Sequence, residues 1–336
     1  MIGERELTAA VSLTDARGRL NPSAVGWTRH PIHDTAGIGG RHGWGRNKRW
    51  EYWSVITPRH IVSLTVSSID YAGVSEVWVF DRETGVEHQR VVIAPFARGT
   101  VLPPSLGTGP SSVRVKDLEI DIDELAEGTQ LRVRIPGVEA DLVAATPAGQ
   151  ESLGVVVPWS STRFQYTVKD VARPTTGHIT VDGVTHTVGG TTGEAWAVLD
   201  HGRGRWPYDV RWNWGAGSGM VDGRRIGVQV GGQWTIGSGS TENALFVDGR
   251  LHKISEELTW GFDTADWLAP WSVRGELADL SFQPFHDKAS RTALGIISTR
   301  TDQCFGHWSG WMAADDGERV RVDGVVGWAE DVRNRW

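Results

Sequence analysis

Cysteine is almost absent: Cys304 stands alone, so the chain can form neither an intramolecular disulfide nor a cysteine-rich zinc site. That excludes disulfide-stapled secreted scaffolds and zinc ribbons, and it fits a reducing cytoplasm. Positive charge is not in excess either. The 34 Lys and Arg against 41 Asp and Glu give a net charge of −7, and no Lys/Arg-rich block supplies the footprint of a nucleic-acid partner. No apolar run approaches the roughly 18 to 20 residues of a membrane-spanning helix. Met1 to Leu13 carries Glu4, Arg5 and Glu6, where a signal peptide needs a basic start and an unbroken apolar core. The expectation is a cytoplasmic chain with no nucleic-acid partner and no integral membrane segment; the oligomeric state is not legible.

Helical periodicity is also scarce, since almost no window repeats apolar residues at i, i+3, i+4 and i+7. Only Asp121 to Glu127 reads as a short helix. What is present is glycine, 42 residues, and tryptophan, 18, against eight Phe and four Tyr. Trp suits the wall of an apolar cavity, being large and rigid with one N–H to place. His60 to Ser68, Val74 to Asp81, Val113 to Ile122 and Arg224 to Val230 alternate or are β-branched, as strands are. Asp-Gly pairs at 182, 222, 248, 316 and 323 supply hairpin turns. An all-β chain of antiparallel barrels follows, because closure removes sticky edges. At 336 residues the chain favours two domains, and the polar stretch Lys169 to Gly177, with Pro174, suggests 1–173 and 174–336.

Three stretches carry candidate chemistry. Trp196 to Gly219 holds Asp200 and His201, then Arg205, Trp206, Trp212, Asn213 and Trp214. Alternation puts Trp212 and Trp214 on one face, lining a barrel cavity, with Arg211 and Asn213 on the other. Asp200 and His201 at the barrel mouth form a candidate proton donor, because desolvation raises a carboxyl pKa. Arg46 to Trp53 offers Trp50 and Tyr52 on one face, with cationic Arg46, Lys48 and Arg49 at the rim to receive a carboxylate or phosphate headgroup; the competing reading is a plug of aromatic core. Glu242, Asn243, Asp266 and Trp271 read as loops at one end of a barrel, with Glu242 and Asp266 free to converge on Asp200. Paired carboxylates also suit glycoside hydrolysis. His30, His33, Asp34 and His42 have no metal-site spacing, no glycine segment bridges strand to helix as a phosphate loop, and no GxSxG elbow occurs. Neither a metal nor a cofactor is expected.

Arg46 to Trp53, Asp200 to Gly215, Thr241 to Ile254, Asp266 to Trp271 and Gly327 to Trp336, taken in order, resemble the bacterial domain of unknown function family 2804. That family is similar, more remotely, to the AttH-like group of carotenoid 1,2-hydratases, with tocopherol cyclase and lipocalin-like Diels-Alderases as further relatives. The resemblance implies two successive lipocalin-like barrels with a ligand pocket at or between them, and an acid at Asp200 that protonates an isoprenoid double bond. Gly-Arg-Gly-Arg follows His201 where the hydratases tend to have an Asn/Arg-Trp-Gly turn. The first functional reading is thus a protein enclosing a hydrophobic, isoprenoid- or lipid-like molecule and acting on it by acid catalysis as hydratase, cyclase or isomerase. The second is a non-catalytic carrier using the same pocket, and the third a carbohydrate-active enzyme.

Overall fold

A computed structural model describes residues 3–294 and 297–335; Trp336, the last residue of the closing motif, lies outside them. Strands dominate, and the helical content of the described residues is two three-residue 3-10 turns, Pro22–Ala24 and Gly190–Thr192. Among these residues no helix is long and apolar enough to cross a membrane.

Two large sheets form, and every strand pairing within them is antiparallel. The first runs from Glu87–Pro95 through Ala72–Asp81, His60–Ser68, Asn47–Ile56, Trp196–Arg205 and Arg163–Val181, then onward through Val138–Ala145 to Thr100–Val101. The second runs from Arg250–Ile254 through Asn243–Val247, Arg224–Gly232, Asp209–Val221, Val325–Arg335 and Ile297–Ala313 to Ala278–Leu294 and beyond. Each curls round its own apolar interior as a lipocalin-like barrel. Trp53, Leu64, Leu131 and Leu199 belong to the first interior, and Val228, Trp271, Phe282 and Trp308 to the second. A third cluster joins them, with Tyr52, Trp78 and Val198 of the first sheet meeting Trp214, Phe305 and Trp328 of the second. The two-residue period explains how one strand serves two cores: in Trp196–Arg205, Ala197 and Leu199 face the first interior while Val198 faces the second sheet.

Local chemistry accounts for the hairpins. Asp182-Gly183, Asp222-Gly223 and Asp248-Gly249 all take positive φ at both positions, the geometry a two-residue turn needs to match strand twist, and each joins a paired hairpin.

Three expectations change. Asp121 to Glu127 is no helix: Leu118–Glu124 is a strand whose Leu118, Ile120 and Ile122 are buried, a period of two that outweighs the helix-favouring glutamates. Val113 to Ile122 is two strands, Ser111–Val115 and Leu118–Glu124, with Asp117 at φ 58° between them. The stretch at Lys169 to Gly177 lies inside the 19-residue strand Arg163–Val181, and sheet membership passes from first to second at 206–208, between Trp196–Arg205 and Asp209–Val221. Its polar residues point into partners, which hides the strand pattern: Lys169 pairs with Asp200, and Asp170 accepts from Gln150 and Arg173. A bulge between Asp170 and Arg173 bends the strand there.

Candidate functional site

A cavity of about 410 Å³ opens between the two sheets rather than inside either barrel, a volume suited to a small organic ligand. The first sheet contributes alternate residues of neighbouring strands: Trp50 and Tyr52, Thr167 and Lys169, and Asp200. The second contributes Trp212 and Trp214, with Glu242, Gln303 and Glu330. The alternation that sets Trp212 and Trp214 on one face and Asn213 on the other holds, but their face looks across to the other sheet.

Five indoles line the cavity, and Trp206 is their hub. It meets Trp50 at 5.4 Å and Trp212 at 5.5 Å edge-on, and stacks on Trp234 at 5.5 Å. Three of these indoles spend their N–H on buried carboxylates, as a Trp nitrogen out of water must. Trp50 donates to Asp200 Oδ2 at 2.9 Å, Trp212 to Glu330 Oε1 at 2.9 Å and Trp234 to Glu242 Oε2 at 2.7 Å. Glycines make room for this. A Cβ on Gly202 would lie 2.1 Å from the Trp50 ring, and one on Gly231 would lie 2.9 Å from Glu242 Cβ.

Lys169 is the cation among these acids. Its ammonium lies 2.9 Å from Asp200 Oδ1, 3.9 Å from Glu242 Oε1 and 3.8 Å from the Trp214 ring centroid. Asp200 is fully engaged, since Thr167 donates to Oδ1 at 3.1 Å as well. Glu242 Oε1, by contrast, has no hydrogen-bond partner among the described residues. Burial pushes the Glu242 carboxyl up to about 7, with Lys169 opposing and Asp200 adding. Burial likewise lifts Glu330 to about 7, opposed by the Trp212 N–H and Lys169. Gln303 donates to Glu330 Oε2 at 3.0 Å and bonds the Tyr52 hydroxyl at 3.1 Å, tying the two sheets across the cavity. A proton-bearing acid with an oxygen that accepts no hydrogen bond, facing indole walls, can protonate an apolar guest.

The sequence-named residues divide sharply. Asp200, Glu242, Trp50, Tyr52, Trp206, Trp212 and Trp214 share the cavity. His201 does not: one residue on from Asp200, it points into the first barrel, 3.7 Å from Glu51, with burial lowering it to about 4. Asp266 is exposed and caps the backbone N–H of Leu268 at 3.0 Å. Trp271 is buried in the second barrel. Asn213 donates to Asp331 at 3.0 Å, and Asn243 accepts from the Gly231 N–H at 2.8 Å, so both brace strands. Arg205 holds the carbonyls of Gly18 and Gly37 and the Asn47 side chain, clamping N-terminal loops. Arg46 lies over the Tyr208 ring at 6.0 Å.

Lys169, Trp234, Gln303 and Glu330 were missed. The signal available for Lys169 was scarcity: of five lysines, Lys48, Lys169 and Lys288 are buried, an arrangement lysine adopts only when paired or functional.

Comparison with solved structures supports the architecture. Kievitone hydratase from Nectria haematococca superposes with a TM-score of 0.52 at 11% identity over 98% of each chain. CghA gives 0.51 at 12% identity over 87% of this chain and 88% of that one. A protein assigned as AttH from Nitrosomonas europaea gives 0.53 at 12% identity over 97% and 98%. At such identities the likeness is one of fold. No curated protein matches the sequence. The family model for "Domain of unknown function (DUF2804)" matches residues 4–336, and the chain belongs to that family.

Proposed function

We propose that the protein binds a hydrophobic small molecule between its two barrels and protonates it from Glu242, opening a hydration, cyclisation or double-bond shift. The observation that carries this reading is Glu242 itself: Oε2 is fixed by Trp234, Oε1 accepts no hydrogen bond and has the Lys169 ammonium 3.9 Å away, and burial raises the carboxyl to about 7. Asp200, the acid expected from the sequence, has both oxygens occupied and serves instead as the anion that pairs Lys169. Proton transfer from Oε1 to an alkene carbon leaves positive charge on the neighbouring carbon. The faces of Trp214 and Trp206 stabilise such charge by cation–π attraction, and the Asp200 side chain adds to it. When water adds to the cation, the proton it sheds returns to the Glu242 carboxylate, which restores the acid and balances the step. Kievitone hydratase shares the fold, and a hydratase on this scaffold agrees with that chemistry.

The test uses farnesol incubated with the protein in D2O, followed by mass spectrometry of the recovered lipid. Deuterium is expected on carbon with the wild type and is lost in Glu242→Gln, which keeps the binding of farnesol. Farnesol bound by the wild type but recovered without label would reject the acid role and leave a carrier.

A further inference from the structure

The cavity opens where Val91 and Ile93 of the edge strand Glu87–Pro95 line it, and both are about half exposed. Beside that mouth lies a smaller hollow of about 270 Å³, lined by Trp44, Phe96 and Leu102 and sharing Arg49 with the cavity. Trp44 is 60% exposed and Phe96 64%. Tyr208, also exposed, stands within electrostatic reach of Tyr71 on the cavity wall. Large apolar and aromatic groups left in water round one opening mark a contact surface.

The backbone holds this face out. Phe96 and Ala97 take positive φ, 54° and 52°, a region that a bulky residue rarely enters. The turn closes on a glycine: a Cβ at Gly73 would lie 2.9 Å from Ala97 Cα. The Phe96 N–H donates to the Tyr71 carbonyl at 2.9 Å, tying the segment that carries the exposed ring to the cavity wall. Charge accompanies the rings. Arg41 and Arg98 are exposed on the same two loops as Trp44 and Phe96. The acids lining this end are engaged: Glu76 pairs with Lys288 at 3.1 Å, and Asp70 accepts from the Gly45 backbone N–H at 2.6 Å. On a chain of net charge −7, the rim thus sets arginines beside Trp, Phe and aliphatic groups. Such a surface meets anionic head groups while its rings enter the interfacial layer. A bilayer, unlike a protein partner, is also where an apolar guest accumulates.

We propose that the cavity mouth is a docking surface for an anionic lipid bilayer, with Trp44, Phe96, Val91 and Ile93 entering the interfacial layer and Arg41 and Arg98 meeting lipid phosphates. An apolar guest then passes from membrane to cavity without crossing water. The surface goes beyond the ligand-binding reading above and rests on it only for what passes through the mouth.

Vesicle flotation, read beside farnesol binding, tests this. The wild type is expected to float with vesicles of phosphatidylglycerol and phosphatidylcholine in equal parts, and high salt releases it. Arg41→Gln together with Arg98→Gln lowers the partition coefficient about thirtyfold, or roughly fivefold for each arginine. Trp44→Ser together with Phe96→Asn lowers it about tenfold, asparagine being a side chain that accepts positive φ. Both pairs keep farnesol binding, because none of the four side chains lines the cavity itself. A wild type that does not float, or that floats equally well after either pair of changes, overturns the docking surface. Self-association of the wild type without vesicle binding, abolished by the Trp44 and Phe96 changes, gives the face to a second copy and overturns it too. Flotation of a wild type that takes up no farnesol supports the surface and overturns the ligand reading alone.

Discussion

Glu242 and Glu330 hold protons that glutamates in water have lost, and this ties their chemistry to stability. Each folded-state value is raised from 4.5 to about 7, with burial the first cause. The fold then binds protons more tightly than the unfolded chain, so the stabilisation is complete below about pH 4.5 and is lost as pH rises through about 7. A shift of that size corresponds to about 3 kcal/mol for each group. Glu242→Gln, permanently uncharged, should therefore raise the thermal midpoint at pH 8 and leave it nearly unchanged at pH 5. An equal shift at both pH values would mean that Glu242 is not protonated in the fold. His201 works in the other direction. Lowered from 6.5 to about 4 by burial, it contributes stability above pH 6.5 that is lost as pH falls towards 4. At this scale the sequence disclosed Asp200, Glu242 and four of the five cavity tryptophans, Trp50, Trp206, Trp212 and Trp214, since unusual residue types mark themselves. It did not disclose Lys169 or Glu330, because a lysine or glutamate inside a strand reads the same whether it faces water or a cavity. It also joined Asp200 to His201, although neighbours in a strand point in opposite directions.

Among the elements, strand and turn chemistry were the more legible part. His60–Ser68 is a strand over the expected residues, although it is buried on both faces, and the Asp-Gly pairs at 182, 222 and 248 turn as their composition requires. The long strand Arg163–Val181 was hidden, because its buried Lys169, Asp170 and Arg173 find partners only after the sheets assemble. Gly202 shows how an element positions the site. It sits on Trp196–Arg205 beneath the Trp50 indole, and a methyl group there would approach the ring to 2.1 Å. Gly202→Ala must displace Trp50 and withdraw its N–H from Asp200. Urea unfolding should show a loss of about 1–3 kcal/mol, the usual cost of overpacking, with a change in tryptophan emission. An alanine accepted without either change would show that Trp50 is not held on that glycine.

For the whole molecule, the decisive feature is the apolar cluster shared by the two barrels. Trp78 stacks on Phe305 at 5.4 Å, Trp214 and Trp328 flank Tyr52, and the ion pair Lys288–Glu76 crosses the same interface. Separating the sheets would expose that surface, so neither barrel has reason to unfold by itself. Urea denaturation should give one transition, with far-UV circular dichroism and tryptophan fluorescence coincident. Two resolved transitions would show that the interface does not couple the halves.

Composition and pattern alone determined an all-β chain rich in hairpins, with indoles concentrated near a few acids, because side-chain period and turn preference are local properties. Only tertiary structure decided that the indoles meet between the barrels, that Glu242 rather than Asp200 has an oxygen accepting no hydrogen bond, and that a lysine at the presumed linker anchors the site. Those facts depend on burial and on partners 150 or more residues apart in sequence, such as Trp50 and Asp200 or Tyr52 and Gln303, and the energies of buried charge exist only once the sheets have closed around it.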